Sequence, residues 1–212
     1  MKRRNFLSGA AGAALTALIP TTGATQSIGQ CLPRFIPNIG QVRDCRIGVT
    51  NLSMPVQQCS QWCWAACCQA IFDHANISAT QWDFVGKVFG NTNTCLPATG
   101  PMMKQAIDGF WQMRNGATAF AQMNVVMDTD YGIYHPNHMS VIWNELRNNR
   151  AVISGSMNHA VLIHALDYTE GPLGTQTNAL HIRDPWPQSP NFSTYTAQQF
   201  NNINFLATLQ LS

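Results

Sequence analysis

The stretch Gln57-Gln58-Cys59-Ser60-Gln61-Trp62-Cys63-Trp64-Ala65-Ala66 decides how this chain is read. Ser60 is a residue type that caps helix N-termini, and nothing from Gln61 to His74 breaks a helix. The apolar residues Trp62, Trp64, Ala65, Ala66, Ala70, Ile71 and Phe72 go round most of the circumference, which predicts a buried central helix rather than a surface one. Cys63 then falls at the third helical residue, where unpaired backbone N–H groups and the helix dipole favour a thiolate. The thiolate is the nucleophilic form of cysteine, so the position suits acyl transfer. A backbone N–H near Cys63 together with a side-chain amide can form an oxyanion hole. The plainer reading is one more disulfide cysteine in a tryptophan-rich core, so the rest of the chain must supply a base and an orienting group.

A thiol nucleophile needs a proton acceptor within hydrogen-bond reach. His159 opens the apolar run His159-Ala160-Val161-Leu162-Ile163, so it stands at the mouth of a predicted strand and can face a cleft. His164 lies inside that strand and reads as a core histidine. His135 and His138 sit in a proline-containing loop, and His74 ends a helix. The third group should fix the imidazole's orientation. In Leu180-His181-Ile182-Arg183-Asp184-Pro185-Trp186, Leu180, Ile182 and Asp184 share one face of a strand, with the carboxylate emerging at its end. Asp167 competes for the role, but along an extended strand it lies about 26 Å from His159.

Gln57, Cys63 and Trp64 have the spacing of papain-like cysteine peptidases, in which a Gln precedes by six residues the Cys-Trp that opens the long central helix. Trp62-Cys63-Trp64-Ala65-Ala66 is similar to a bacterial branch of that family that includes the avirulence proteases of plant pathogens. His159 in a His-Ala-Val context, and Asp184 with Trp186 two residues on, also resemble the family pattern, and the four motifs occur in family order. The resemblance implies a Cys63–His159–Asp184 triad. Gln57 would donate to the oxyanion, with Gln58 as the fallback, and Trp64 and Trp186 would support the site. It implies a papain-like two-lobed α+β fold, with a helical lobe whose central helix is opened by the nucleophile and an antiparallel sheet lobe. One departure is plain. The family's Gly-rich run beside the nucleophile is replaced by bulky Trp62, which bears on the width of the cleft.

The N-terminus reads as an address. A basic start, Lys2-Arg3-Arg4, leads into the apolar run Phe6–Ile19, broken by Pro20 and followed by small residues Thr22, Gly23 and Ala24. Arg3-Arg4-Asn5-Phe6-Leu7 resembles a twin-arginine export signal. Residues 1–24 are therefore expected to be a signal peptide, 25–54 a loop-rich segment and 55–212 the peptidase domain, exported to the periplasm or beyond. Beyond residue 24 no run is long and apolar enough for a membrane span, so no membrane association is expected of the mature form.

Charged residues are only 10% of the chain, and the three basic residues of residues 1–24 account for the whole positive balance of +2. That argues against electrostatic capture of nucleic acid. All seven cysteines lie beyond the signal. An odd count in an oxidising compartment suits six bonded cysteines and one reactive thiol. Cys31–Cys45 is the expected near-neighbour pair, with Cys95 reaching back to Cys67 or Cys68. Those two are adjacent and point about 100° apart on a helix, so they need different partners. No paired C-x2-C spacing or matching histidine pair appears, and His159 and His164 would lie on opposite strand faces, so no metal or organic cofactor is expected.

Further helices are expected from Ser78, with a Ser78/Gln81 capping box and Gly90 as stop, from Pro101 through Phe110, and over Met139–Asn149. Residues 116–134 are ambiguous. Strands are expected at Ala151–Gly155, His159–Tyr168, Leu180–Asp184 and Ile203–Leu209. Helices early and strands late argue for α+β. The function that follows is a secreted thiol endopeptidase acting on a protein or peptide substrate. The same machinery also serves transglutaminases, deamidases and cell-wall amidases, and a non-catalytic, disulfide-stapled binding protein is the rival outside enzymology.

Overall fold

The computed structural model describes residues 28–156, 158–189 and 192–212, so the expected signal peptide lies outside the described residues. The described part is α+β, with helices packed on one antiparallel sheet. The first difference from expectation comes at once. Residues 31–48 form a hairpin of β1 (Cys31–Ile36) and β2 (Gly40–Gly48), not loop. Pro33 is tolerated because β1 is an outer strand, where a missing N–H costs no internal ladder bond. Asn38 closes the turn with a φ of 66°, a conformation that asparagine accepts more readily than most side chains. Cys31 faces Cys45 across this hairpin, and the two are bonded as expected.

Three helices follow: α1 (Cys63–His74), α2 (Gln81–Phe89) and α3 (Gly100–Ile107). In α1 every residue from Cys63 to Cys68 is buried. The capping box of α2 is Thr80 with Asp83, two residues beyond the expected Ser78/Gln81 pair. Gln81 is buried instead, and its amide holds Gln58 N–H, Val56 C=O and the Gln69 side chain. It thereby braces the segment ahead of Cys63. Gly90 ends α2 in the left-handed conformation, as expected. Phe72, Phe84 and Trp111 pack ring on ring at 5.0–5.3 Å between centroids, joining α1 and α2 to the sheet.

The remaining elements are β3 (Gly109–Gln112), β4 (Thr118–Asp128), a single 3-10 turn (Thr129–Tyr131), α4 (His138–Arg147), β5 (Val152–Ser156), β6 (His159–Gly171), β7 (Gly174–Arg183), β8 (Ser193–Thr194), α5 (Ala197–Asn201) and β9 (Phe205–Leu211). Phe110 belongs to β3, not to the third helix, and is 77% exposed. The sheet runs β1-β2-β6-β5-β9-β4-β3, with β7 along the other edge of β6 and β8 beyond it. β5 and β2 share one edge of β6, end to end. Every residue from Ala160 to Leu166 is buried, so this strand is covered on both faces. α1 packs against β6, and α4 against β2, β4, β5 and β6.

His164 is the extra residue of a bulge between β6 and β7. It is 6% exposed, and neither ring nitrogen has a hydrogen-bond partner. Burial, with Arg183, His181 and Arg46 nearby, pushes its pKa from 6.5 down to about 4. A base with a depressed folded pKa contributes stability fully above about pH 6.5 and loses it as pH falls toward 4. That loss is on the order of 2–3 kcal/mol at pH 4. Replacement His164→Leu removes two unpaired polar atoms. It is expected to raise Tm at neutral pH and to flatten the fall in Tm between pH 6.5 and 4, both measurable by thermal melts across that range.

Candidate active site

Helix α1 starts at Cys63, two residues later than Ser60 capping would place it, and no side chain caps it. The delay has a local cause. Cys59 is bonded to Cys95, the Gln57 amide nitrogen donates to Cys59 C=O and Ser60 C=O at 3.0 Å each, and Trp62 N–H donates to Cys59 C=O. These bonds wind residues 59–62 into a turn. Cys63 is thus the first helical residue, closer to the positive end of α1 than expected, beside first-turn N–H groups that no side chain occupies.

From the sheet side, β5 turns back into β6 through Asn158, which takes a φ of 63°, so that His159 opens β6 opposite Ser156. β7 ends at Arg183 and leaves Asp184 just past the last ladder pair. The three residues expected to carry the chemistry are brought together. Ala160 N–H donates to Cys63 Sγ at 3.4 Å. His159 Nε2 lies 2.8 Å from Asp184 Oδ1, and the same oxygen accepts from Trp186 N–H at 2.9 Å. With Nε2 taken, Nδ1 is the nitrogen left for the sulfur. Trp186 stands edge-on to His159, with centroids 6.1 Å apart. Asp167, the rejected carboxylate, is paired instead with Arg46 and His181.

The electrostatics follow from these contacts. Hydrogen bonding to Asp184, then to Cys63, raises His159 from 6.5 to about 9 against the opposing effect of burial. Burial alone would raise Asp184, but bonds from His159, Trp186 N–H and Ser189 outweigh it and hold the carboxyl below its ordinary value. The pair is therefore an imidazolium beside a carboxylate at neutral pH.

Cys63, His159, Asp184, Trp64 and Trp186 line one cleft of about 760 Å³. Gln57 does not line it. Its side chain is 6% exposed, its amide hydrogens are used on the two carbonyls named above, and its backbone N–H donates to Pro185 C=O. In this arrangement Gln57 ties the loop ahead of Cys63 to the turn carrying Asp184, and the expected oxyanion role requires its amide to leave those carbonyls. Gln58 is exposed. Trp62 does not narrow the cleft, because it turns inward, donates to Thr94 C=O and stacks edge-on with Trp82 at 4.5 Å.

The cysteines correct two expectations. Cys95 bonds Cys59, not Cys67 or Cys68, and three thiols are free among the described residues, not one. The all-round burial of α1 puts Cys67 and Cys68 in the core, beyond reach of the loop that carries Cys95. Burial pushes both thiols well up, with the nearby sulfurs adding to it, so neither ionises near neutrality. Two features escaped the sequence reading. Ser189 supports Asp184 from a loop with no motif. Asp128, 4% exposed, lines the cleft where a Cβ on Gly100 would sit 2.1 Å from its Oδ2, so any other residue at the start of α3 would have to displace that carboxylate.

Iodoacetamide is expected to label Cys63 alone in the native protein, and Cys63, Cys67 and Cys68 in denaturant without reductant, as read by peptide mass mapping. Asp184→Asn keeps an acceptor for Nε2 but removes the charge. His159 is then expected to titrate below about 9 by ring NMR. The raised pKa of the native pair stabilises the fold below about pH 6.5 and loses that effect as pH rises through 9, so the variant's melting profile is expected to be flatter over that window.

No protein-family model matches the chain, and no curated protein sequence matches it.

Proposed function

We propose that this protein is a thiol-dependent endopeptidase of papain-like type, with Cys63 as nucleophile, His159 as general base and acid, and Asp184 as the group that orients the imidazole. The observation that carries this reading is the meeting, in one cleft, of a free cysteine at a helix head with a histidine already paired to a carboxylate. The Cys63 thiolate attacks the carbonyl carbon of a peptide bond. Backbone N–H groups at the head of α1 stabilise the oxyanion. The His159 imidazolium gives its proton to the leaving amine, and the C–N bond breaks to leave an acyl-enzyme. A water molecule, deprotonated by His159, then attacks the thioester, and the thiolate leaves.

One structural fact supports the reading against the stapled-scaffold rival, and a second agrees with export. Cys63 is not in a disulfide, as a purely stapled scaffold would have it. The two disulfides that do form belong to an oxidising compartment, which agrees with an exported chain. No described helix is long and apolar enough to cross a membrane. The reading takes α1–α3 as one wall of the cleft and the sheet as the other, in a two-lobed papain-like arrangement that is part of the proposal. Export by the twin-arginine route and a protein or peptide substrate complete the proposal.

The test is hydrolysis of a mixed peptide library by the exported protein and by Cys63→Ala. The unaltered protein is expected to release new peptide amino termini, and the variant to lose at least about a thousandfold in rate. Release of ammonia from glutamine side chains without new amino termini would instead assign deamidase or transglutaminase chemistry.

A further inference from the structure

Behind Cys63, His159 and Asp184 lies a phenol with no part in the acyl transfer. Tyr195 follows β8 and is 9% exposed. Its hydroxyl is 3.0 Å from Ser154 Oγ, and the Ser156 side chain is close enough to act on the phenol's electrostatics. Ser154 and Ser156 are two apart on β5 and so share a face. Ser156 is the register partner of His159 across the turn. The Tyr195 backbone N–H donates to Leu180 C=O at 2.9 Å, on β7, which leads into Asp184. Burial pushes the phenol's pKa up, and Cys67 and Asp184 are close enough to push it further. Cys67 is one helical turn below Cys63 on the same side of α1. One side chain therefore sits where the helix bearing the sulfur, the hairpin bearing the imidazole and the strand bearing the carboxylate converge.

Space filling alone does not explain this choice of residues. Ser154 is 0% exposed, and a buried hydroxyl costs free energy unless it is bonded. A phenylalanine at 195 facing alanines at 154 and 156 would fill the same volume with nothing to satisfy. A hydroxyl network, unlike an apolar contact, holds its members at one distance and angle.

We propose that Tyr195 is a positioning residue: its hydroxyl, bonded to Ser154 two residues before Ser156, fixes the end of β5 and so the angle at which His159 meets Cys63. The proposal rests on the Cys63–His159–Asp184 reading but not on the identity of the substrate.

The experiment compares Tyr195→Phe with the unaltered protein, with Ser154→Ala as a milder second variant. Three quantities are read: the rate of Cys63 alkylation by iodoacetamide as a function of pH, mapped by peptide mass, the kcat and KM of peptide hydrolysis, and Tm. For Tyr195→Phe, a roughly tenfold lower alkylation rate at neutral pH is expected, with a basic limb shifted down in pH. The fall in kcat is expected to match, with KM within about twofold. Ser154→Ala, whose side chain does not line the cleft, is expected to move the same quantities less. A lower Tm with an unchanged alkylation profile in either variant would make Tyr195 a packing residue and overturn the proposal. If Tyr195→Phe fails to fold, the Ser154→Ala profile decides alone. If the unaltered protein alkylates at Cys63 but cleaves no peptide, the peptidase reading fails, while the alkylation profiles still judge Tyr195.

Discussion

The sulfur of Cys63 accepts a hydrogen bond from the backbone N–H of Ala160 at 3.4 Å, across 97 residues of chain. α1 is buried around most of its circumference, β6 is buried on both faces, and the two pack against each other, which holds the head of the helix at the start of the strand. A surface helix would be free to slide or rotate, whereas a helix packed at the density of a protein interior has one position. The head of α1 and the first residues of β6 are consequently fixed relative to each other by the core, and the chemistry inherits that fixed geometry. Gln57 adds a second tie from the loop ahead of α1 to Pro185, beside Asp184.

Two histidines on the same strand show how far partners outweigh burial. His159 and His164 both lose solvent in β6, and desolvation lowers the pKa of each. His159 gains Asp184 and Cys63 and rises to about 9, while His164 gains only cationic neighbours and falls to about 4. The first is held charged beside Asp184 at the cleft, and the second is held neutral in the core. The difference comes from position on the strand. His159 stands at its open end, where the carboxylate at the end of β7 can reach it, and His164 stands at a bulge against Arg183 and Phe192.

The cysteines divide along the same line between rim and core. Cys31–Cys45 and Cys59–Cys95 close loops of 14 and 36 residues in sequence separation. By chain entropy these are worth roughly 3 and 4 kcal/mol. The second also shapes the turn that makes Cys63 the first residue of α1. Cys67 and Cys68, a turn further along, behave as small apolar side chains under Cys63. A cysteine-rich stretch thus supplies a staple, a free thiol lining the cleft and core packing within ten residues, the place of each set by depth.

Much of this was legible in the residues themselves. All-round apolarity from Trp62 to Phe72 announced a buried helix, because a helix with no polar face has no place at a surface. The apolar runs after His159 and before Asp184 announced strands with chemistry at their ends, because the period of two fixes which residue emerges. Other features were not legible. Pro33 and Pro37 read as loop because proline lacks an N–H, and only the pairing order shows that β1 is an outer strand where none is needed. The partner of Cys95 could not be read, because it depends on which cysteine the buried helix leaves at the rim. The start of α1, the inward turn of Trp62, the use of Gln57 on its own loop and the place of Tyr195 are likewise decided by contacts between segments far apart in the chain. Local pattern, in short-range terms of period, capping and burial, determined most of the elements and which candidate residues stand at their ends. The mutual positions of those elements depend on long-range packing and hydrogen bonds, which no window of sequence contains.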